Sequence, residues 1–374
     1  MSAPERAVAR IDLGAIERNC AHLTSRLTRG ARLCAVVKAD AYGHGDVWCA
    51  RAALDGGADW LAVATAGEAE ELRRHGIRAR ILVMGALTRE DARIALASAA
   101  DVVAWDERFV ASLEELARGD DLRANVHVKL DTGMGRLGAK DAAQARDVAL
   151  AVEAAGPLDL VGAMTHFATA DEPEDEHFGH QLDRFEPFAD ELRKGRKDLI
   201  AHAANSAGTY RDERAHFDMV RCGIAVYGLD PFHDDPAERG LEPALRLESY
   251  VAAVRRFEPG ESAGYGRRWH AEQPTWVGTL PIGYGDGWRR GLTNNAEVLV
   301  LGRRHPLVGT VSMDNITIDL GPETDVEPGD RAVLIGEDGG ERILCEDVAR
   351  RLDTINYEIT CGLSSRVRRV HGHP

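Results

Sequence analysis

The sequence predicts an α/β fold in which an N-terminal (β/α)8 barrel of the TIM type precedes a C-terminal, mostly β domain. Short apolar runs recur eight times before residue 230, separated by stretches rich in Ala, Leu, Glu and Arg that are typical of helices. From about residue 245 the pattern changes to strand-like runs divided by turns. The length of 374 residues suits a barrel plus a smaller second domain.

Each of the eight apolar runs is interpreted as a buried barrel strand. In chain order they are residues 33–37, 60–64, 80–84, 101–104, 126–130, 158–164, 199–203 and 219–226. In such a barrel the active site lies at the carboxyl ends of the strands. Five polar or glycine positions lie at or after the ends of the predicted strands one, five, six, seven and eight, and we expect them to share that face: Lys38, Arg136, His166, Ser206 and Gly223.

The second domain is predicted from runs of a different texture. Residues 1–240 are assigned to the barrel and residues 241–374 to the β domain, with the proline-flanked polar segment 231–236 as the linker. The predicted strands of the second domain are residues 250–254, 276–280, 298–301, 308–311 and 332–335.

Charge and composition exclude several classes of function. The chain carries 46 basic and 61 acidic residues, a net charge of −15, which opposes broad attraction to nucleic acid or to a membrane surface. It contains no apolar run of roughly 18 residues and no apolar core near its first residues, so a cytoplasmic protein is expected. The six cysteines form no Cys-x-x-Cys pair and no His-Glu-x-x-His occurs, so reduced thiols and no metal site are predicted.

The segment 35–45, Ala-Val-Val-Lys-Ala-Asp-Ala-Tyr-Gly-His-Gly, places Lys38 at the end of an apolar strand. Removal from water favours the neutral, nucleophilic amine, which can condense with an aldehyde such as that of pyridoxal phosphate. Taken alone, a lysine in this position is more often a side chain that extends from a strand end to water.

The sequence around Lys38 resembles the cofactor-attachment motif of the alanine racemases, pyridoxal-phosphate enzymes that interconvert L- and D-alanine. Further motifs of that family follow in order at residues 127–138, 165–168, 205–206, 220–224, 264–266, 281–287, 312–314 and 355–359. The resemblance implies a homodimer with shared active sites that supplies D-alanine for peptidoglycan. It also implies that residues 1–11 pair with the second domain.

The resemblance implies two proton-transfer groups on opposite faces of the substrate. Lys38 would bind the cofactor and then act on the D-alanine side, and Tyr265 would reach in from the partner subunit on the L-alanine side. A phenol is a poor base without a positive neighbour, and the family aligns His166 and Arg221 behind it. Arg221 would also face the pyridine nitrogen, where it weakens the electron sink. By position alone, Arg221 suits a salt bridge and Tyr265 a turn.

The resemblance assigns the remaining ligands. Arg136 would bind the cofactor's phenolic oxygen and the substrate carboxylate. The phosphate would be held by Tyr42, Ser206, the backbone amides of Gly223 and Ile224, and Tyr357. The substrate would also meet Met313 and Tyr284 of the partner. Strand alternation places Lys129 and His127 on the same side of their strand. In the family, the matching lysine is carbamylated to N6-carboxylysine. From the residues alone, an ordinary lysine paired with Asp131 is an alternative.

One departure and three alternatives remain. Thr310 stands where relatives often carry an arginine, which predicts a less positive entryway; the other matching entryway positions are Asp171, Arg290 and Ile355.

The alternatives are a racemase of another small amino acid such as serine, a fold-related amino-acid decarboxylase, and a non-catalytic pyridoxal-phosphate carrier. Tyr357 favours alanine over serine, Arg221 with Tyr265 disfavours the decarboxylase, and residues 245–374 disfavour the carrier.

Overall fold

The computed structural model describes residues 5–373, so the first four residues of the predicted pairing segment and residue 374 lie outside the described residues. The chain divides into two compact units. The barrel unit comprises Ile16–Ala41 and Asp46–Val226. The β unit comprises residues 5–15 and 227–373 together with the short segment Tyr42–Gly45.

The barrel unit contains a closed barrel of eight parallel strands, which confirms the predicted fold class. Closure is direct, because Arg32–Val36 pairs with Trp60–Val63 on one side and with Met219–Cys222 on the other. Interior and helix-facing positions of the strands are both buried, as a parallel sheet covered by helices requires. The strands are Arg32–Val36, Trp60–Val63, Arg80–Val83, Asp101–Ala104, Ala124–Lys129, Leu158–Met164, Ile200–His202 and Met219–Cys222.

Helices precede or follow these strands where the sequence predicts them, and several begin at side-chain caps. Thr65 and Thr88 each form a capping box, in which the cap hydroxyl and a carboxylate three residues later satisfy free backbone amides. Asp106 and Asp141 cap two further helices. The helices up to residue 211 are Leu13–Arg26, Asp46–Asp55, Ala66–Arg74, Arg89–Ala97, Glu107–Gly119, Ala142–Ala154, His177–Arg193 and Ser206–Arg211.

The last predicted barrel strand, residues 219–226, is too long. The strand ends at Cys222, and Ile224–Tyr227 forms a 3-10 helix. The amide of Gly223 donates to Ser206 Oγ at 3.0 Å and that of Ala225 at 3.3 Å, so the backbone leaves the barrel ladder here. Both segments are buried, which is why their apolar run continues across the change in structure.

The β unit is built on two sheets. Val8–Asp12 lies inside the larger sheet, antiparallel to Leu245–Tyr250 and parallel to Arg368–Gly372. The larger sheet has the order Arg303–Pro306, Glu297–Val300, Arg331–Asp338, Leu245–Tyr250, Val8–Asp12, Arg368–Gly372, with Glu341–Ile343 paired to Arg331–Asp338. The smaller sheet comprises Ala253–Phe257, Thr275–Leu280 and Ile316–Gly321, and the unit also contains helices Cys345–Arg351 and Asn356–Cys361.

Two of the predicted strands in this unit are wrong. Residues 250–254 are split between the strands Leu245–Tyr250 and Ala253–Phe257, which belong to different sheets. Residues 308–311 are buried but form no strand. Two of their backbone amides instead meet side chains: Gly309 donates to Asn294 Oδ1 at 2.6 Å and Val311 donates to Thr293 Oγ1 at 3.2 Å.

An unusual backbone turn follows Lys38. The helical segment Lys38–Gly43 is left-handed, since the four residues from Ala39 to Tyr42 have φ between 53° and 55°. L-residues avoid this conformation by roughly 1–2 kcal/mol each, so other contacts must hold it. Within the barrel unit, Glu68 Oε1 accepts from the amide of Ala39 at 2.7 Å and the Val37 carbonyl accepts from Ala41 at 3.0 Å.

None of the helices between residues 5 and 373 combines the length and the apolar character that crossing a membrane demands. All six cysteines are free thiols.

Candidate active site

The carboxyl end of the barrel carries a cluster of side chains that bear or can bear positive charge: Lys38, Lys129, Arg136, His166 and Arg221. Burial lowers the pKa of Lys129 to about 8, and the charges of Arg221 and Arg136 add to this effect. The same two arginines and Lys129 reinforce burial in lowering the pKa of His166 well below its usual value. The sequence-predicted residues of the barrel therefore do converge on one end.

Both terminal nitrogens of the Arg221 guanidinium, NH1 and NH2, are hydrogen-bonded. Its NH2 group donates to the carbonyls of Thr165 at 2.8 Å and Ala203 at 3.0 Å and lies 3.1 Å from His166 Nδ1. NH1 donates to His202 Nδ1 at 2.8 Å. Burial lowers the pKa of Arg221 to about 10, so the group stays cationic at neutral pH. The Nε–H has no acceptor among residues 5–373 and is available to a ligand.

Lys129, which ends the strand Ala124–Lys129, is only 5% exposed. Its Nζ atom makes no hydrogen bond or ion pair with any residue in the described range 5–373. Asp131 exerts an attraction on it without coming within ion-pair distance. A buried ammonium without a partner is unfavourable, so this position calls for an anion nearby or for a change in the lysine itself.

The loop that presents Arg136 is organised by Asp131. Asp131 Oδ1 accepts from the amides of Gly133 at 2.9 Å and Gly135 at 3.1 Å, and Oδ2 accepts from Arg136 N at 3.0 Å. Although burial acts to raise it, these amides bring the pKa of Asp131 below its usual value. The Arg136 side chain is exposed and makes no hydrogen bond or ion pair with residues 5–373, so it too is available to a ligand.

Ser206, Gly223 and Ile224 meet at the ends of two neighbouring strands. Asn205 caps the helix Ser206–Arg211 through its bond from Gly208 N at 2.9 Å, which fixes Ser206 at the first helical position. Ser206 Oγ accepts from Gly223 N, and its own O–H remains able to donate. The Gly223 amide, predicted to bind phosphate, is therefore bonded to the serine in this structure.

The two tyrosines predicted to bind phosphate lie together in the β unit. The ring centroids of Tyr42 and Tyr357 are 6.0 Å apart, and Tyr42 is 5.2 Å from Tyr227. His44 stacks on Tyr227 at 4.5 Å. Gly43 is required here, because a Cβ at that position would lie 2.2 Å from the carbonyl oxygen of Thr360.

The three residues predicted to act on a partner's substrate are exposed on the β unit: Tyr265 is 72% exposed, Met313 51% and Tyr284 41%. Tyr284 and Met313 are neighbours, since the amides of Tyr284 and Gly285 donate to the carbonyls of Ser312 and Met313. Tyr265 lies between Gly264 and Gly266, which have φ of 73° and 72°.

Thr310 differs from its expected environment. It is 4% exposed, and its hydroxyl donates to the carbonyl of Tyr265 at 2.6 Å. A Cβ on Gly264 would lie 2.9 Å from Thr310 N, so the two backbones pack directly on each other. Thr310 therefore holds the Tyr265 turn. The other predicted entryway residues, Asp171, Arg290 and Ile355, are exposed.

Comparison with known proteins decides the family. A model of the alanine racemase N-terminal domain matches residues 11–231, and a model of the alanine racemase C-terminal domain matches residues 244–371. The chain belongs to the alanine racemase family. The alanine racemase of Symbiobacterium thermophilum is 42% identical over 365 residues, which cover 97% of this chain and 96% of the relative.

Solved structures of alanine racemases resemble the whole chain. That of Streptomyces coelicolor A3(2) has a TM-score of 0.94 at 37% identity and covers 99% of this chain and 98% of its own. That of Bacillus anthracis with bound L-Ala-P has a TM-score of 0.90 at 36% identity and covers 100% of this chain and 96% of its own.

Family motifs did not reveal every polar residue buried beneath the cluster. Two of them are Asp101 and His202: Asp101 bonds to His127, His127 bonds to His202, and His202 bonds to Arg221. Alternation along residues 126–130 places His127 on the side of Lys129, but the two partners lie on other strands. Only the barrel register brings the three together. Polar residues inside apolar runs are the signal that would have pointed to them.

Proposed function

We propose that this alanine racemase interconverts L- and D-alanine with pyridoxal 5'-phosphate bound at the carboxyl end of its barrel, and that it supplies D-alanine for peptidoglycan. The observation that carries the cofactor proposal is the cation cluster. Around the buried Lys129, the charges of Arg221, Arg136 and Lys38 are all positive, and Asp131 opposes them. A phosphate and a phenolate oxygen would neutralise such a site.

The donors present fit this group. Arg221 has an unused Nε–H beside a fully bonded edge, which suits a ring nitrogen that accepts one hydrogen bond. Arg136, exposed and without a partner in residues 5–373, suits the phenolic oxygen and a substrate carboxylate. Lys38 would attach the aldehyde. By the family resemblance, the phosphate ligands would be Tyr42, Ser206, the amides of Gly223 and Ile224, and Tyr357.

When bound, pyridoxal phosphate supplies an electron-withdrawing ring that makes the α-proton of an attached amino acid acidic. Lys38 would move this proton on the D-alanine side and Tyr265 of a second subunit on the L-alanine side. His166, with Arg221 at its Nδ1, would carry its proton on Nε2 and so offer a donor that stabilises a phenolate. Arg221 cannot give up its own proton readily at pH 7, so the ring nitrogen would stay unprotonated.

A homodimer follows from the same assignment. Tyr265, Tyr284 and Met313 are large residues of the β unit, and they are 41–72% exposed. Exposed aromatic and thioether groups are typical of contact surfaces. In the proposed dimer these three side chains would meet substrate held by the barrel of the other subunit.

Lys129 is proposed to be carbamylated to N6-carboxylysine. A pKa of about 8 leaves a useful fraction of neutral amine near neutral pH, and only the neutral amine reacts with carbon dioxide. The product is an anion close to Arg136 and Arg221, so it would convert an unpaired cation into an ion-pair partner.

The proposal is tested with purified protein and a panel of L-amino acids, including alanine and serine, followed by chiral separation of the products. Alanine should give the fastest formation of the D-enantiomer, and added pyridoxal phosphate should raise the rate of cofactor-depleted protein. Borohydride reduction followed by peptide mapping should place the cofactor on Lys38. Release of carbon dioxide from basic amino acids, or a label on another lysine, would contradict the assignment.

A further inference from the structure

A continuous chain of hydrogen bonds runs through the barrel unit beneath Arg221. Asp101 Oδ2 lies 3.1 Å from His127 Nε2, and His127 Nδ1 lies 2.8 Å from His202 Nε2. His202 Nδ1 lies 2.8 Å from NH1 of Arg221. All four residues are at most 2% exposed, so water does not compete for these bonds.

The hydrogen bonds of this chain can point in one direction only. Arginine has donors and no acceptor, so His202 must accept at Nδ1 and carry its proton on Nε2. His127 then accepts at Nδ1 and donates from Nε2 to the Asp101 carboxylate. Protonating either ring, or moving either proton to the other nitrogen, would set two donors face to face. Both imidazoles are therefore neutral Nε2–H tautomers.

Asp101, at one end of this chain of hydrogen bonds, is held as a carboxylate anion. Arg80 NH2 donates to Asp101 Oδ2 at 2.5 Å, and Asn125 Nδ2 donates to Oδ1 at 3.1 Å. Burial acts to raise the pKa of Asp101, but the bond from His127 and the charge of Arg80 bring it below its usual value. Burial, followed by the charge of Arg221, lowers the pKa of His202, which keeps that ring neutral.

Gly162 and Trp60 shape the space that the His127 ring occupies. A Cβ on Gly162 would lie 2.0 Å from His127 Nδ1, so only glycine admits the ring. Trp60 meets the same ring edge-on at a centroid distance of 5.8 Å. Gly162 lies opposite His127 in the register of the neighbouring strand, so its missing side chain leaves the space that the ring occupies.

We infer that Asp101, His127 and His202 are positioning residues for Arg221, which hold its guanidinium in one orientation toward the ligand at the barrel mouth. With NH1 held by His202 and NH2 held by the carbonyls of Thr165 and Ala203, the Nε–H keeps a single direction. The inference rests on the proposed function only in taking that ligand to be the cofactor's pyridine ring. In an Asp101→Asn variant the side-chain amide can turn an N–H toward His127 Nε2, which would reverse both tautomers and leave Arg221 without one anchor.

The tautomers are measured first, on the wild-type holoenzyme labelled with nitrogen-15 in histidine. The signals are assigned with the single variants His127→Gln and His202→Gln. Both rings should show the Nε2–H form, and His202 should not titrate over the range in which free histidine does. A ring protonated on Nδ1, or a His202 ring that titrates in that range, would overturn the inference whether or not the protein racemises alanine.

The second test compares Asp101→Asn with Asp159→Asn. Asp159 lies on the strand Leu158–Met164, opposite Asn125, and forms an ion pair with Arg123 at 2.6 Å. It takes no part in the chain of hydrogen bonds. Both variants lose one carboxylate. Asp101→Asn should lower kcat on the order of tenfold with little change in the KM for alanine. It should also shift the absorption band of the bound cofactor, whereas Asp159→Asn should match wild type in all three.

The outcomes separate the inference from the proposed function. If wild type racemises alanine but a folded Asp101→Asn keeps the wild-type kcat and absorption band, the positioning role is wrong and the function stands. If wild type shows no racemisation, the proposed function fails, and the tautomer measurement still decides the inference. That measurement also decides alone if Asp101→Asn does not fold.

Discussion

Replacing Lys129 by methionine should stabilise the cofactor-free protein at neutral pH. Lys129 is 5% exposed, and its Nζ atom has no partner among residues 5–373. Burial, aided by the charges of Arg221 and Arg136, lowers the pKa of Lys129 from 10.5 to about 8. One pKa unit is worth about 1.36 kcal/mol, so holding this ammonium in the folded chain costs about 3 kcal/mol.

The sign of this effect depends on pH. Below pH 8 the folded and unfolded chains both carry the proton on Lys129, so the whole cost is present. Between pH 8 and 10.5 only the unfolded chain keeps the proton, so stability rises with pH, and above 10.5 the cost is gone. Methionine has a similar length and no charge. The variant should therefore gain about 3 kcal/mol at neutral pH and almost nothing above pH 10.5.

The measurement is urea unfolding of cofactor-free protein, followed by circular dichroism at fixed protein concentration in buffer depleted of carbon dioxide. Lys140→Met is the matched control, because Lys140 is exposed and the same substitution there should change the free energy of unfolding by less than about 0.5 kcal/mol. A Lys129→Met protein that unfolds at lower urea than wild type at pH 7 would refute the reasoning.

Bicarbonate extends the same test to the proposed carbamate. At neutral pH it should stabilise wild type, since an anion beside Arg136 and Arg221 replaces an unpaired cation. The stabilised protein should gain the mass of one carbon dioxide under non-acidic conditions. Lys129→Met should show neither change, and equal stabilisation of both proteins would argue against modification at this lysine.

Three further outcomes are expected. Lys38→Ala and Tyr265→Phe should each be nearly inactive as homodimers. When the two variants are refolded together, about half the dimers should be mixed, and on the order of a quarter of all sites should regain activity. Verified mixed dimers without activity would contradict sharing of the site. Thr310→Val should cost about 1 kcal/mol of stability and make proton transfer from L-alanine slower. The deuterium isotope effect should then rise for 2-deuterated L-alanine and fall for the D-enantiomer, and unchanged effects would separate Thr310 from Tyr265. Glu68→Gln should cost about 1–3 kcal/mol and speed hydrogen exchange at Ala39, whose amide bonds to the carboxylate; unchanged exchange there would show that the turn is held without it.

The barrel could be predicted from sequence because buried parallel strands are short, apolar and separated by helices. Asp101–Ala104 and Leu158–Met164 were predicted to the residue. The strand predictions that are wrong concern segments that are buried but do not form a strand. Residues 224–226 and 308–311 are as apolar and buried as a strand, yet the first segment lies in a 3-10 helix, and the second donates from Gly309 and Val311 to side chains. Apolar character predicts burial, whereas the hydrogen-bond partner decides the element.

The barrel part of the candidate site was predicted from motifs, and the structure adds its electrostatics. Strand order alone places Lys38, His166 and Arg221 at one end, because parallel strands share their carboxyl ends. The partners of Arg221 depend on pairing between distant strands, so they appear only with the register. The buried hydroxyl bond from Thr310 to Tyr265 likewise depends on two turns that are 45 residues apart in the chain.

The left-handed turn after Lys38 bears on the order in which the chain folds. Four consecutive L-residues from Ala39 to Tyr42 have φ near 54°, a geometry that an isolated peptide avoids by about 1–2 kcal/mol per residue. Such a turn cannot nucleate folding, and it persists only once the Val37 carbonyl and the Glu68 carboxylate are in place around it. The lysine therefore acquires its orientation late, after the strands on either side have paired. In a barrel that is incompletely folded or cleaved, the same motif would be present, but the amine of Lys38 would have no fixed orientation.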